Sequence, residues 1–315
     1  MFGELGVMLL KIGVVYGRLT GIWPTKMLTK SIEKLGHTPV LFSLRNVTAS
    51  VGDRNKDRGN NQTSGNPPRF LFRGRSLDDL GAAMVRTLSY GTLDQITYRV
   101  SLLEHMEMSG ILVVNPAYSF RRARDKYAAL FYLAKQGIPV PRTFVTESFR
   151  QSLNAVRHLG DVVIKPLVGA RGEGAIRTND FDVAYRALKA AYSTGLVLYV
   201  QEYIPKPDRD IRAFVIGDQV VSSMYRIASP GEWKTNVAQE GKPSKCELSE
   251  EMEKIAVKAS NALGLEYSGV DIMESQKGAV ITEVNAAPTW HGLQTVTPFE
   301  ISDRIVQHVI DKVKR

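Results

Sequence analysis

Residues 267–285 carry the pattern that most limits what this chain can become. Two alternating runs, SGVDIM and AVITEVN, flank a short polar turn at Ser275–Gly278 and predict a β-hairpin. Alternate residues of a strand share a face. Glu283 and Asn285 therefore stand together, with Ile281 and Ala279, while Val280, Thr282 and Val284 read as core. Folding the hairpin about residues 276–277 brings Asp271 beside Glu283. Two carboxylates and an amide oxygen between apolar neighbours form a hard-oxygen set suited to magnesium, which commonly bridges a nucleotide's phosphates. A carboxylate pair on a solvated hairpin face fits the same pattern.

Other residues upstream could meet an anion. Lys165 sits inside VVIKPLV, an otherwise apolar run, where a lysine costs desolvation energy unless it meets a negative partner. A glycine-rich turn, GARGEG, follows, and Gly169, Gly172 and Gly174 would let backbone amides approach phosphate closely. A plain hairpin tip is the other reading, since the Walker pattern and the dinucleotide fingerprint are both absent. Gln201, Glu202, Tyr203 and Ile204 end an apolar strand where they could line a flat base. Asp210 and Arg212 share a face at the start of the next strand, and Arg212 could grip a carboxylate or phosphate, or simply close an ion pair. The five His residues show no metal spacing, Cys246 is alone, and no G-x-S-x-G marks a covalent nucleophile. Trp290 either stacks on a flat ring system or packs as core.

The rest of the chain supplies a frame. Lys11–Tyr16, a helix over 24–35 and Pro39–Leu44 make a βαβ unit and hence a parallel sheet. Residues 46–68 read as a long polar loop, 77–108 as two helices broken near Gly91, and 121–136 as one helix. Ile301–Val313 closes the chain as a helix. With 315 residues, about two domains are expected. The apolar stretch at residues 1–10 is interrupted by Glu4 and lacks a basic flank, so a signal peptide is not expected, nor is a membrane span. One cysteine suits a reducing, cytoplasmic setting.

The order of these signals carries more than each alone. RARDK, a strand lysine, the glycine turn, QEYI, DIR, the KTN triplet at Lys234–Asn236 and D…E-x-N follow one another. That succession resembles the ATP-grasp superfamily and, within it, the RimK-like glutamate ligases, from about Asn115 to Asn285. The resemblance implies an α/β and α+β architecture: a Rossmann-like domain over 1–120, then two α+β lobes, 121–195 and 196–315, clasping ATP. It implies that Lys126, Lys165, Gly169, Gly172, Gly174, Gln201, Glu202, Tyr203, Ile204, Asp210, Lys234, Thr235 and Asn236 bind nucleotide. Arg212, Lys165 and Asn236 would face phosphate and substrate during the reaction, while Asp271, Glu283 and Asn285 would hold two Mg2+ or Mn2+ ions. Lys234 stands where related ligases carry arginine.

The implied reaction needs no protein nucleophile: a carboxylate takes the γ-phosphoryl group of ATP, and the amine of L-glutamate displaces phosphate from the acylphosphate. The helical stretch before ILVVNPA, the segment DKYAALFYLAKQGIPVPRT and the WHGL segment resemble the archaeal branch that modifies coenzymes. The expected acceptor is a phosphate- and carboxylate-bearing coenzyme of the tetrahydromethanopterin type; the deazaflavin coenzyme and an acidic protein tail are the alternatives. Ligases of this type are often dimers or tetramers. The formal charge of +9 gathers in the first part of the chain, with 18 basic against 10 acidic residues through Lys126 and 23 against 22 after it. A basic domain suits such an acceptor, and no nucleic-acid motif accompanies it. A basic nucleic-acid-binding protein with a degenerate nucleotide fold is the remote competitor, and the intact D…E-x-N set speaks against it.

Overall fold

The computed structural model describes residues 9–17, 22–52, 69–169, 174–233, 235 and 242–314. The chain divides into two compact units, one of residues 1–118 with 300–315 and the other of residues 119–299.

The first unit is built on four parallel strands. β1 (Lys11–Val15), α1 (Ile22–Lys34) and β2 (Thr38–Phe42) form the expected βαβ crossover. Short antiparallel strands follow: β3 (Val47–Ala49), β4 (Phe70–Phe72) and β5 (Arg75–Ser76). The ends of the polar stretch are thus paired, and residues 53–68 lie outside the described residues. The run at Ala82–Val85 is β6 and not the first of two helices. All four of its residues are buried, as in a parallel strand covered on both faces, and such a continuous apolar run has no period that separates strand from helix. α2 (Leu93–Met108) starts at Thr92, whose side chain and that of Gln95 form a reciprocal capping box. β7 (Leu112–Val114) completes the sheet order β2-β1-β6-β7.

The second unit begins within α3 (Ala117–Arg124). The single helix expected over 121–136 is broken at Asp125, which adopts extended backbone and accepts from the amides of Tyr127 and Ala128. α4 (Lys126–Lys135) therefore starts at Lys126. A four-stranded antiparallel sheet has β8 (Thr143–Thr146), β9 (Val162–Ile164), β10 (Ile176–Thr178) and β11 (Leu198–Glu202) in the order β10-β9-β11-β8. α5 (Phe149–Leu159) and α6 (Phe181–Ser193) cover it through a core of Val156, Val162, Ile164, Leu188 and Val200. A five-stranded antiparallel sheet follows: β12 (Arg209–Ile216), β13 (Gln219–Ile227), β14 (Lys242–Lys245), β15 (Tyr267–Ser275) and β16 (Gly278–Asn285), in the order β14-β13-β12-β15-β16. α7 (Glu250–Ala262) packs on it, and the short α8 (His291–Gln294) lies beyond β16.

The closing helix α9 (Ile301–Val313) belongs to the first unit rather than to the last lobe. Its apolar stripe of Ile301, Ile305, Val306, Val309 and Ile310 is buried, and it packs on α1. Ser31 donates to Ser302 at 2.9 Å and to Asp303 at 2.6 Å, and Lys34 pairs with Asp303 at 2.6 Å. No described helix is long and apolar enough to cross a membrane.

Candidate functional site

A cleft of about 920 Å³, open solvent at its mouth included, lies in the second unit and is lined from both of its sheets. Lys126, Lys165 and Gly169 line one side, and Asp271, Thr282 and Glu283 line the other.

The hairpin β15–β16 delivers the carboxylates, though not by plain alternation. Ser275 pairs with Gly278 and Ile272 with Ile281, but Asp271 pairs with Glu283, so Thr282 is an extra, bulged residue. The bulge slips the parity of the strand. Ile281 and Val284 are buried in the core, while Thr282 and Glu283 both reach the cleft. Thr282, expected in the core, is thus a cleft residue, and Ile281 does not share the face of Glu283. Asn285 lies two residues beyond Glu283, opposite Gly269.

Arg212 and Arg226 surround Asp271. Arg212 Nε lies 2.7 Å from its Oδ1 and Arg226 Nη2 lies 3.1 Å from its Oδ2. Burial lowers the Arg212 guanidinium pKa against the pull of Asp271, and burial raises the Asp271 carboxyl pKa against the pull of Arg212 and Arg226. In this pair desolvation outweighs attraction, so an added anion beside Arg212 and an added cation beside Asp271 would both be welcome. Among the described residues, buried Asp271 Oδ1 accepts no hydrogen bond, because Arg212 Nε approaches it off the bonding line. Among the described residues no three His, Cys, Asp or Glu side chains gather. Two carboxylates and an amide fit magnesium, which keeps water and takes substrate phosphate for the rest of its shell.

Asp210 lines the cleft and also anchors its neighbours. It is buried, takes Arg226 Nε at 2.6 Å and Nη2 at 2.8 Å, and accepts from the Thr235 hydroxyl. Burial alone would lower the Arg226 pKa, but Asp271 and Asp210 together outweigh it and raise it. Arg226 joins Asp210 to the carboxylate of Asp271. No local signal marked it, because its partners lie 16 residues back and on β15.

Lys165 follows β9 and is held by Gln201, whose Oε1 lies 3.0 Å from the ammonium. The ring of Tyr199 lies 5.2 Å away. Burial pushes the Lys165 ammonium down to about 8; Glu283 counters that and Lys126 reinforces it. The Gln201 amide nitrogen donates to Thr143 and Tyr199, so this side chain, which lines the cleft, also orients the lysine. Lys126 donates to the carbonyl of Gly169 at 2.9 Å, and burial lowers its pKa as well. Gly174 has a φ of +72°, which favours glycine. Gly172, Lys234 and Asn236 lie outside the described residues.

The far end of the cleft is aromatic. The Glu202 carboxylate is taken by the backbone and side chain of Arg142, at 2.7 and 2.6 Å, while its backbone continues the strand edge. Tyr203 donates its amide to Asp161. Its ring carries the Arg177 guanidinium 3.4 Å from the centroid and meets Trp233 edge-on at 6.4 Å. Tyr203, Ile204, Trp233 and Met273 all line the space. Trp290 is not there: it is 0% exposed and packs edge-on against Phe214 at 6.1 Å. Among the described residues, the tryptophan that lines this cleft is Trp233, which no motif singled out.

The arrangement places two ammonium groups and Gly169 opposite two carboxylates, with a flat apolar slot at one end. Residues 123–309 match the RimK-like ATP-grasp domain. The chain is 34% identical over 297 residues to the tetrahydromethanopterin:alpha-L-glutamate ligase of Methanococcus maripaludis, covering 93% of this chain and 96% of that protein. It is 38% identical over 248 residues to the ligase of the same name from Methanocaldococcus jannaschii, covering 76% and 82%. The solved structure of the ATP-grasp ligase PsnB with a minimal precursor superposes with a TM-score of 0.71 at 21% identity, covering 96% of this chain and 99% of that one.

Proposed function

The chain belongs to the RimK-like ATP-grasp family, and on that premise we propose that it adds L-glutamate to a coenzyme of the tetrahydromethanopterin type, through an α linkage, with conversion of ATP to ADP and phosphate. The observation that carries the reading is the likeness over nearly the whole chain to ligases that bear that name in two archaea. The cleft supports it: Lys126, Lys165, Asp271 and Glu283 line one space, cations for phosphate and carboxylates for metal.

We assign the adenine to the slot of Tyr203, Ile204, Trp233 and Met273, and the phosphates to Lys126, Lys165 and the glycine turn. Asp271, Glu283 and Asn285 would hold two magnesium or manganese ions, which neutralise charge on the phosphates when bound. The acceptor carboxylate attacks the γ-phosphorus and ADP leaves, with the new acylphosphate beside Arg212. The glutamate amine then attacks the acyl carbon, phosphate leaves, and an amide bond remains. Arg212 offers a guanidinium already short of negative charge, so it gains as charge builds on the transferred phosphoryl group. Lys165, its ammonium depressed by burial, gains from a phosphate in the same way. The lobes that close on ATP are residues 121–195 and the chain that follows from 196, with Lys234, Thr235 and Asn236 facing the nucleotide.

The test is ADP release by the purified chain with ATP, magnesium and L-glutamate, offered tetrahydromethanopterin, the deazaflavin coenzyme or an acidic protein tail in turn. Glutamate-dependent release with the pterin coenzyme, and a product heavier by one or more glutamyl residues, is the expected result. Release with a protein tail alone moves the acceptor, and no release with any of them ends the ligase reading.

A further inference from the structure

Gly269 sits in β15 opposite Asn285 and two residues before Asp271, and it is buried. Its φ lies outside the left-handed region, so the backbone itself does not call for glycine. The space around it does. A Cβ there would collide with Nη1 of Arg212 and stand 3.3 Å from its Cδ and 2.9 Å from Cβ of Pro288. Arg212 pairs in register with Asp271, and its side chain leans along β15 into the volume that a methyl group would fill. From there its guanidinium holds Asp271, with Nε at 2.7 Å from Oδ1 and Nη2 at 3.3 Å from Oδ2.

We infer that Gly269 is a positioning residue for Arg212: the missing side chain is what lets the guanidinium lie across β15, between Asn285 and Asp271, and point at the substrate. The inference rests on the role proposed for Arg212. The first atom in the way of any larger residue is the far end of a flexible side chain, so a methyl group displaces the guanidinium first, while Pro288 Cβ, at 2.9 Å, must give by a few tenths of an ångström. The nearby glycine of the same hairpin, Gly278, serves another purpose, with a φ of +106° in the turn and open space around it.

The test is a double-mutant cycle of Gly269→Ala with Arg212→Lys, which keeps the charge and removes the clashing nitrogen. Two quantities are read in each of the four proteins: kcat for glutamate-dependent ADP release at saturating ATP, and the thermal midpoint without metal or nucleotide. Gly269→Ala is expected to lower kcat by between about tenfold and a hundredfold in the parent, the scale of an ångström-sized misplacement. In the Arg212→Lys background it is expected to lower kcat less than about twofold, and its effect on the metal-free midpoint should shrink likewise. An unchanged kcat for Gly269→Ala, or an equal loss in both backgrounds, overturns the inference. If Gly269→Ala alone does not fold, folding of the double variant supports it and failure of both overturns it. Full activity of Arg212→Lys together with an equal loss from Gly269→Ala in each background overturns Gly269's role and leaves the ligase reading standing, whereas absence of ADP release by the parent is the separate failure of that reading.

Discussion

Arg226 and Asp210 face each other across β13 and β12 as a buried bidentate pair, and the same guanidinium reaches Asp271 at 3.1 Å. One buried cation thus serves two buried anions, one of them a proposed metal ligand. Removing it takes the paired guanidinium from Asp210 and leaves Asp271 with Arg212. Arg226→Met is expected to destabilise the protein by about 3–5 kcal/mol, read by urea unfolding at neutral pH. A loss below about 1 kcal/mol would mean that the network is not what holds these carboxylates.

Lys165 offers a signed pH dependence. Its folded-state pKa, about 8, is below the ordinary 10.5, so the native protein binds fewer protons than the unfolded chain between those values. Stability from this group therefore rises with pH through that window, and below about 8 the buried charge is a cost. Lys165→Met should raise the thermal midpoint of the nucleotide-free protein at neutral pH, by up to about 3 kcal/mol in stability, with the gain fading toward pH 10.5. The same variant should lose ATP-dependent ligation. A midpoint that drops at neutral pH counts against the depressed ammonium.

Glu283 stands opposite Asp271 at the mouth of the cleft. Glu283→Ala is expected to fold, because the side chain reaches the cleft and not the core, and to lose at least about a hundredfold in ligation rate, as removal of a group that organises phosphoryl transfer does. Normal ligation by this variant would remove Glu283 from the proposed metal site.

The two tryptophans of the second unit should part company. Trp290→Ala empties a fully buried position and is expected to cost about 3–5 kcal/mol of stability. Trp233→Ala should leave the thermal midpoint within a few degrees and raise the KM for ATP about tenfold, the scale of one lost stacking contact. Equal stability losses at both positions would place Trp233 in the core and not in the slot.

Much of the frame was legible in the chain. The β1–α1–β2 crossover, the β12–β13 and β15–β16 hairpins and the Ser249 cap of α7 follow from local apolar period and turn chemistry. The errors have local causes too. Ala82–Val85 is buried on both faces and shows no period, and Asp125 ends one helix and caps the next inside a stretch that reads as helical throughout. Gln201 and Asp210 line the cleft, and they also hold Lys165 and Arg226 in place. A residue that holds a binding residue has the same type and spacing as one that binds.

By itself the sequence determined the succession of strands and helices, the family and the residue types of the cleft, because those rest on neighbours a few positions apart. The tertiary structure decided four further matters. It placed Thr282 beside Glu283, since the bulge slips the face of every later residue in β16. It drew Arg226 to Asp210 and Asp271, returned α9 to the first unit, settled Trp290 in the core and set Trp233 at the cleft. Each of these depends on which strands or helices come to lie side by side, and that is settled by burial and pairing over the whole chain rather than by local period.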